Sequence, residues 1–504
     1  LGTVDRSNCT GGTFSDTWDC GAAFVSVLHT GMGDGKDSVC PAASVLWTNS
    51  RVFSAIYGPV VWISLLRALS RLYDALYKGI SGGNASADCY ICRISGSISW
   101  GIYDVYDYIC CDTVLDNWMA WNTTSYRHRS AFDMETKKLA YLDGLKGIGC
   151  VLVFMTHFVF AFYYGMYHYE PESCHLPGNL DIWIGKSPLN LLFNGNTAVR
   201  LFLVLSGYLL CRTYFLTKDK GRLLNSAKKR YLRLMPAVLV VNVAVFVLMC
   251  LGLYRNNEAA LLAGSKEWFA GFNMFAPSVW GMLKESLYGC YLFGSNDYNG
   301  VLWTMQILFV GAYIDYALAY VCGEKKWRWI CYGILTVVLL RTDYLSIFLG
   351  YVLCDFMHTD WKWKEVCIKS QILNGMLGVV GLYFMAYPSA GFGYEGTIWG
   401  ILPFVFVNYY HILGVLCFVF AVLNLQGLQK FFARKGFLYL GRISYSLYLI
   451  HFPVIATLGA WFFLTFEGRI GYNLTCLLNL MLISVVTVVL SELSVRYVEP
   501  LGKK

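Results

Sequence analysis

The chain has 504 residues, of which 57% are hydrophobic and only 14% are charged, and its mean hydropathy is +0.49. These charged residues are too few to cover the surface of a soluble protein of this size. The composition therefore excludes an ordinary soluble protein and indicates a membrane protein. The formal net charge of +8 arises mainly from short Lys and Arg runs between apolar segments. Such runs are typical of topology signals, so we do not expect nucleic-acid binding.

The first part of the chain is polar and rich in Gly and Ser, unlike the remainder. We predict a small extramembrane domain over residues 1–139, built around an amphipathic core helix at 60–78; the alternative is a helix lying in the membrane interface. The cysteines of this domain are candidates for disulfides, or for free thiols in a cytoplasmic domain, and their spacing does not match a zinc site. They are Cys9, Cys20, Cys40, Cys89, Cys92, Cys110 and Cys111.

Asn-x-Ser/Thr sequons occur at Asn8, Asn84, Asn122 and Asn473. Such triplets often arise by chance. They favour, as an expectation, a glycoprotein of the secretory pathway or plasma membrane.

Residues 140–504 contain apolar segments of about the length that crosses a bilayer. We predict an all-α, polytopic membrane bundle of about ten transmembrane helices, in which the short fifth and sixth segments could instead form a tilted or re-entrant pair. The segments are 141–164, 197–216, 236–254, 301–322, 328–340, 343–357, 371–387, 400–424, 444–465 and 476–495.

The distribution of charged residues between the segments gives an independent test of this predicted arrangement. Basic residues follow every even-numbered segment, whereas the exits of the odd-numbered segments carry mixed or acidic charge. The positive-inside rule therefore places both ends of the bundle in the cytoplasm. It also places Lys137 and Lys138 inside, which conflicts with disulfides and used sequons in the N-terminal domain. Either a further span lies between residues 43 and 72, or that domain is cytoplasmic with free thiols.

The first apolar segment holds a lysine and a histidine, Lys146 and His157. Eleven residues of helix are just over three turns, so both side chains share one face with about 16 Å of rise between them. Ionisable residues in a membrane usually face the bundle interior, which makes His157 a candidate general base and Lys146 a candidate cation for a phosphate-bearing donor. The plain alternative is a histidine bonded to a neighbouring helix and a lysine that snorkels to the headgroups.

Three further charges lie at the outer membrane boundary. Arg200 opens the second segment, and Arg341 and Asp343 lie between the fifth and the sixth. We expect Arg200 to snorkel and Arg341 to pair with Asp343 at the loop tip, with acceptor binding as the alternative.

Several short motifs occur in a fixed order along the chain. The string Leu142-Asp-Gly-Leu-Lys146 with His157 resembles the first helix of the acyltransferase family 3 membrane proteins, in which an Arg and a His have the same separation. Each string is weak alone, but their order along the chain is fairly specific. The others are Val199-Arg-Leu-Phe-Leu-Val-Leu-Ser206-Gly-Tyr208, Arg230-Tyr-Leu-Arg233-Leu-Met-Pro236, Leu302-Trp303-Thr-Met305, Phe348-Leu-Gly350-Tyr, Ile443-Ser-Tyr-Ser-Leu-Tyr448-Leu-Ile-His451-Phe-Pro453 and Tyr497-Val-Glu499-Pro500.

The resemblance implies a membrane O-acyltransferase that moves an acyl group, often acetyl, from cytoplasmic acyl-CoA to a hydroxyl of a glycan or lipid acceptor. Acyl-CoA is then a co-substrate, membrane lipids and other membrane subunits are the expected partners, and we expect no resident cofactor or metal. His157 would be the base and Lys146 the donor-side cation. The donor would be bound by Lys229, Arg230, Arg233 and Ser206, and the cavity would be lined by Trp303, Gln306, Tyr448 and His451.

The sequence departs from the family in two places. Lys146 replaces the Arg of the first-helix pair, which keeps the charge but loses the planar guanidinium. Many relatives carry a Glu within two turns of the Trp in the fourth helix, where this chain has Gln306 and Leu308. The missing carboxylate sustains a second hypothesis, a catalytically inactive structural or lipid-binding subunit of a membrane complex. A transporter is a third, since buried His and Arg also mark translocation routes.

Overall fold

The computed structural model describes residues 139–390 and 396–502, and its secondary structure over these ranges is helical, without a strand. The predicted all-α fold is therefore confirmed. The predicted N-terminal domain, with its amphipathic helix, its cysteines and the sequons at Asn8, Asn84 and Asn122, lies outside the described residues. The eleven cysteines in the described part of the chain are free thiols.

Ten apolar helices follow the predicted segments in order. Over the described residues, seven of them are long and apolar enough to cross a membrane, which confirms a polytopic membrane bundle. The other three, α5 to α7, have 12, 15 and 15 residues, so the count of about ten spans stays a prediction. The helices are α1 (Ala140–Phe162), α2 (Gly195–Thr217), α3 (Lys220–Cys250), α4 (Trp303–Cys322), α5 (Arg328–Leu339), α6 (Tyr344–His358), α7 (Gln371–Met385), α8 (Val407–Asn424), α9 (Lys435–Ile470) and α10 (Tyr472–Tyr497).

The third helix begins 16 residues before the predicted segment. Residues 220–233, which lie between the predicted second and third segments, are the first turns of α3. The helix starts here because the Asp219 side chain accepts hydrogen bonds from the backbone N–H groups of Gly221, at 2.8 Å, and Arg222, at 3.2 Å. Pro236, the first residue of the predicted third segment, lies inside the helix.

Contacts between helices fit a chain that alternates its direction across the membrane. α2 and α6 run parallel, because Arg200 contacts Asp343 near their first residues and Phe215 lies against His358 near their last. α7 and α8 run antiparallel, because Gly378 lies beside Ala421 whereas Met385, further along α7, lies beside Gly414, which is earlier in α8. These directions agree with the predicted topology, in which α2 and α6 both run from outside to inside.

Buried apolar side chains form two main clusters, and α1 contributes to both. Its inner part, with Leu142 and Leu145, packs with α2 and α4 to α8. Its outer part, with Val153 and Phe158, packs with α3, α4, α9 and α10. His157 lies in the second of these regions, next to the connection from α3 to α4.

That connection covers the outer end of α1. The Ser265 hydroxyl donates to the carbonyl of Ala161 at 2.8 Å, and the Asn256 amide donates to the carbonyls of Phe269 at 2.7 Å and Phe272 at 3.0 Å. Both Ser265 and Asn256 are fully buried. These bonds fix the segment that carries Trp268 above His157.

Candidate active site

A close contact between α1 and α9 positions the two central histidines. A Cβ atom on Gly147 would lie 2.5 Å from the backbone nitrogen of Gly441, and one on Gly441 would lie 2.1 Å from the carbonyl oxygen of Asp143. Only glycine permits such an approach, which is a common device in membrane helix packing. The helices run parallel, and His157 and His451 each follow their glycine by ten residues (147 to 157 and 441 to 451). The glycine contact therefore sets the two imidazoles side by side.

The two imidazoles are joined by a hydrogen bond, with Nδ1 of His157 2.9 Å from Nε2 of His451. On its other side, Nδ1 of His451 lies 3.0 Å from the carbonyl oxygen of Leu447. A carbonyl oxygen only accepts, so Nδ1 of His451 carries the proton and its Nε2 is the acceptor in the neutral ring. Nδ1 of His157 is then the donor. By this reasoning Nε2 of a neutral His157 has a free lone pair, as a general base requires.

Aromatic rings surround the histidine pair. Trp268 stacks on His157 with centroids 5.6 Å apart and planes inclined by 21°, and Phe452 meets the ring edge-on at 5.5 Å. His451 is fully buried, whereas His157 is only half-buried. The pair thus lies in an apolar setting, and the His157 side chain is partly exposed.

Of the predicted cavity residues on α4 and α9, Tyr448 lies beside this pair. Tyr448 packs against His451 with centroids 5.9 Å apart, and its hydroxyl bonds the Thr304 hydroxyl at 2.8 Å. Trp303 is half-buried against the same core cluster. Gln306 is half-buried, and its amide donates to the carbonyl of Leu292 at 3.0 Å. Gln306 therefore ties α4 to the preceding connection.

The predicted donor-binding residues lie on α2 and on the first half of α3. Arg230 is half-buried and donates to the carbonyl of Leu308 at 3.0 Å, whereas Lys229 and Arg233 are exposed. Ser206 is half-buried on α2, and Lys146 is half-buried on α1. The structure thus brings His157, His451 and Tyr448 together, and it places the basic residues separately.

Sequence reasoning missed a carboxylate on the fourth helix. Asp315 lies about one turn beyond the stretch after Trp303 in which many relatives carry a Glu, and it is fully buried. Neither of its carboxylate oxygens has a hydrogen-bond partner among the described residues, and the guanidinium of Arg230 is the cation that acts on it. An isolated acidic residue in an otherwise apolar segment was the available signal.

The predicted sequon at Asn473 gains no support as a glycosylation site. Asn473 lies at the start of α10, where its side-chain oxygen accepts from the Tyr163 hydroxyl at 2.9 Å and its nitrogen donates to the carbonyl of His175 at 3.0 Å. The hydroxyl-bearing residue of the sequon, Thr475, is fully buried.

Fold and site together define an integral membrane protein of the helical-bundle class with a candidate base in its interior. Residues 139–494 match the acyltransferase family 3, described as an acyltransferase domain, and the chain belongs to this family. The O-acetyltransferase PaAT-1 of Phomopsis amygdali is 23% identical over 420 residues, which cover 71% of this chain and 82% of that protein. The O-acetyltransferase OatA of Staphylococcus aureus (strain NCTC 8325) is 25% identical over 348 residues, covering 62% of this chain and 53% of OatA.

This chain thus spans about half the length of OatA. No solved structure matches the chain. Family membership, these relatives and the apolar helices support a multi-pass membrane O-acyltransferase.

Proposed function

We propose that the protein transfers an acyl group, in the first instance acetyl, from acyl-CoA on the cytoplasmic side to a hydroxyl of a glycan or lipid acceptor, with His157 as the general base. The observation that carries this proposal is the hydrogen bond between His157 and His451. It holds the ring of His157 in the tautomer whose Nε2 can take a proton. The relatives named O-acetyltransferase favour acetyl as the group transferred.

In the proposed reaction His157 transfers the proton and His451 orients His157. Nε2 of His157 takes the hydroxyl proton while the acceptor oxygen forms a bond to the thioester carbonyl carbon. The carbon–sulfur bond then breaks, and the proton passes from His157 to the sulfur, so that the products are an ester and free CoA. His451 accepts the Nδ1–H of His157 throughout, which supports the imidazolium as it forms.

The basic residues suit the donor's phosphates. Lys229 and Arg233 are exposed on the first turns of α3, and Arg230 has an Nε that is buried without a partner among the described residues. Lys146 lies about 16 Å from His157 along α1, which is the inner side in the predicted topology. Charge-assisted hydrogen bonds from these groups would hold a CoA phosphate at the cytoplasmic face while the acyl end reaches inward.

The test uses the full-length protein, purified and reconstituted in lipid nanodiscs. With [14C]acetyl-CoA and an extract of lipids and glycans as acceptors, we expect labelled ester and released CoA thiol. His157→Ala should abolish both while the unfolding temperature changes little. The matched control is His168→Ala, at a half-buried histidine in the outer loop, which should keep full activity.

One observation favours the second candidate, a non-catalytic subunit. Many relatives carry a Glu near the position of Gln306. In this chain the side-chain amide of Gln306 donates a hydrogen bond to the carbonyl of Leu292. If neither transfer nor hydrolysis of acetyl-CoA is detected, and lipid co-purifies beside His157, the non-catalytic hypothesis replaces the enzyme.

A further inference from the structure

A second group of buried polar side chains lies at the first turns of α2, α6 and α8, which are outer ends in the predicted topology. Arg200 on α2 does not snorkel: it is 3% exposed. Its Nη2 donates to the side-chain oxygen of Asn408 on α8 at 3.2 Å and forms an ion pair with Asp343, which precedes α6, at 2.8 Å. The sequence had suggested an ion pair between Arg341 and Asp343. In the structure Asp343 pairs with Arg200 instead.

Arg200 has unused donors. Its Nε and Nη1 are both buried, and neither has a hydrogen-bond partner in the described ranges 139–390 and 396–502. A buried donor without a partner is unfavourable, because it has lost its hydrogen bonds to water. A group that accepts hydrogen bonds here would remove that cost.

An unused acceptor lies nearby on α8. His411 is fully buried one turn after Asn408, and the charge of Arg200 acts on it. Its Nε2 lies 2.9 Å from the carbonyl oxygen of Tyr387, so Nε2 carries the proton and Nδ1 of the neutral ring has the lone pair. Nδ1 is buried and, over the part of the chain described, has no partner.

A third unpartnered group lies on α6. Gly350 on α6 contacts the backbone of Val204 on α2. Ser346 and Arg200 each lie four residues earlier on these helices. Because α2 and α6 run parallel, we infer that Ser346 is level with Arg200. Ser346 is fully buried, and its hydroxyl has no partner among the residues that the structure describes. Three helices thus supply unpaired polar groups at one level.

The walls around these groups are fixed. The Asn194 amide donates to the carbonyl of Tyr387 at 2.8 Å, and the Thr197 hydroxyl donates to the carbonyl of Met385 at 2.6 Å. The Ser389 hydroxyl in turn donates to Asn194 at 2.8 Å. These bonds join the end of α7 to the start of α2, so the site is preformed on rigid elements.

We propose that this Arg200 site, formed by Arg200, Asp343, Ser346, Asn408 and His411, binds a hydroxyl group of a neutral sugar or polyol from the outer side. The ion pair with Asp343 already balances the charge of Arg200, so an anion is not required. A hydroxyl accepts from Arg200 and donates to His411, which no carbonyl or carboxylate does.

The proposal concerns binding alone and does not depend on acyl transfer. The hydroxyl has two possible sources, a soluble glycan or the headgroup of a glycolipid. Because the Asp343 side chain is 42% exposed, it connects these buried groups with the surface.

The experiment compares one sugar in two forms on the full chain in nanodiscs: methyl β-D-glucopyranoside in solution, and monoglucosyl diacylglycerol in the bilayer. The readout is the unfolding temperature as a function of probe concentration. We expect a saturable rise with at least one probe. A response to the soluble form identifies a glycan site, and a response to the lipid form alone identifies a headgroup site.

Two variants test the assignment. Arg200→Lys keeps the charge but removes the planar donors, and His411→Gln keeps a donor for Tyr387 but removes the acceptor at Nδ1. Each should weaken the probe at least tenfold, whereas Arg341→Gln, at an exposed neighbour, should not. If Arg200→Lys does not fold, His411→Gln decides alone. No saturable rise with either probe, or equal affinity in His411→Gln, would overturn the proposal.

Discussion

Nδ1 of His157 and Nε2 of His451 lie 2.9 Å apart, although 294 positions separate the two residues in the chain. His451 is held from behind by the carbonyl of Leu447, so its orientation does not depend on a substrate. A neutral imidazole in this place stabilises a protonated base less than a carboxylate would. In the proposed mechanism His451 is therefore a positioning residue that acts through His157.

We expect His451→Phe to lower kcat by roughly 100-fold, because general-base catalysis contributes about 10²–10⁴-fold and the variant removes the hydrogen bond between the two rings. KM for acetyl-CoA should change little. His451→Gln offers an oxygen near the position of Nε2 and should keep more activity than the Phe variant. Steady-state kinetics on the purified chain measure both constants. Equal losses in the two variants would show that the hydrogen bond is unimportant.

The glycine contact between α1 and α9 gives a second prediction. Gly441→Ala places a Cβ within 2.1 Å of a backbone oxygen, which cannot move aside, so α9 must shift away from α1. We expect a destabilisation of about 2 kcal/mol or more and loss of activity, since overpacking typically costs 1–3 kcal/mol. Gly436→Ala, on the same helix but with no atom within 4 Å of its Cβ, is the control. It should be neutral or stabilising by up to about 1 kcal/mol. Thermal unfolding of both variants decides.

A buried glutamate predicts how stability depends on pH. Glu285 lies outside the helices of spanning length and is 3% exposed. Burial raises the pKa of Glu285 from 4.5 to about 7, although its carboxylate accepts backbone hydrogen bonds from Asp297 and Tyr298. Between these two pH values the folded state holds a proton that the unfolded state has released. Stability therefore falls as pH rises through this window.

We expect the free energy of unfolding to drop by an amount on the order of 3 kcal/mol from pH 4.5 to pH 7 through this group. Glu285→Gln resembles the protonated acid, so it should flatten that part of the profile. Unfolding temperatures of both proteins at a series of pH values measure the difference. An unchanged profile in the variant would assign the dependence to other groups.

Asp315 gives a fourth prediction. Because its carboxylate oxygens have no hydrogen-bond partner in the described part of the chain, Asp315→Leu removes an unpaired polar group and should stabilise the fold by about 1–3 kcal/mol. Asp355→Leu is the contrast, since Asp355 is buried and paired with Arg328 at 2.5 Å, and its loss should destabilise by about 3–5 kcal/mol. Differential scanning calorimetry in detergent compares them. Destabilisation by Asp315→Leu would mean that this carboxylate has a favourable partner.

The sequence predicted the bounds of a helix well where hydropathy alone determines them. α1 begins and ends within two residues of its predicted bounds, because a long apolar run has few alternatives in a bilayer. The start of α3 could not be located in this way, since its first turns are polar and depend on the cap at Asp219. The connection from α3 to α4 has no regular periodicity, so the position of Trp268 over His157 was not visible.

The candidate site was predicted in part. A histidine inside the first apolar segment was an evident signal, and the structure places His157 in the interior. Its hydrogen bond to His451 was not predictable, because it requires the register between two helices that are far apart in sequence. The same limit hid the Arg200 site, whose members come from α2, α6 and α8.

The parallel contact of α1 with α9 has a consequence for biosynthesis. A nascent chain leaves the ribosome from its N-terminus, so α1 enters the membrane long before α9 is made. A truncated fragment therefore carries one imidazole without its partner and without the glycine pairing that orients it. The pair is completed only after α9 has been inserted, so the proposed mechanism predicts that a chain ending before α9 is inactive.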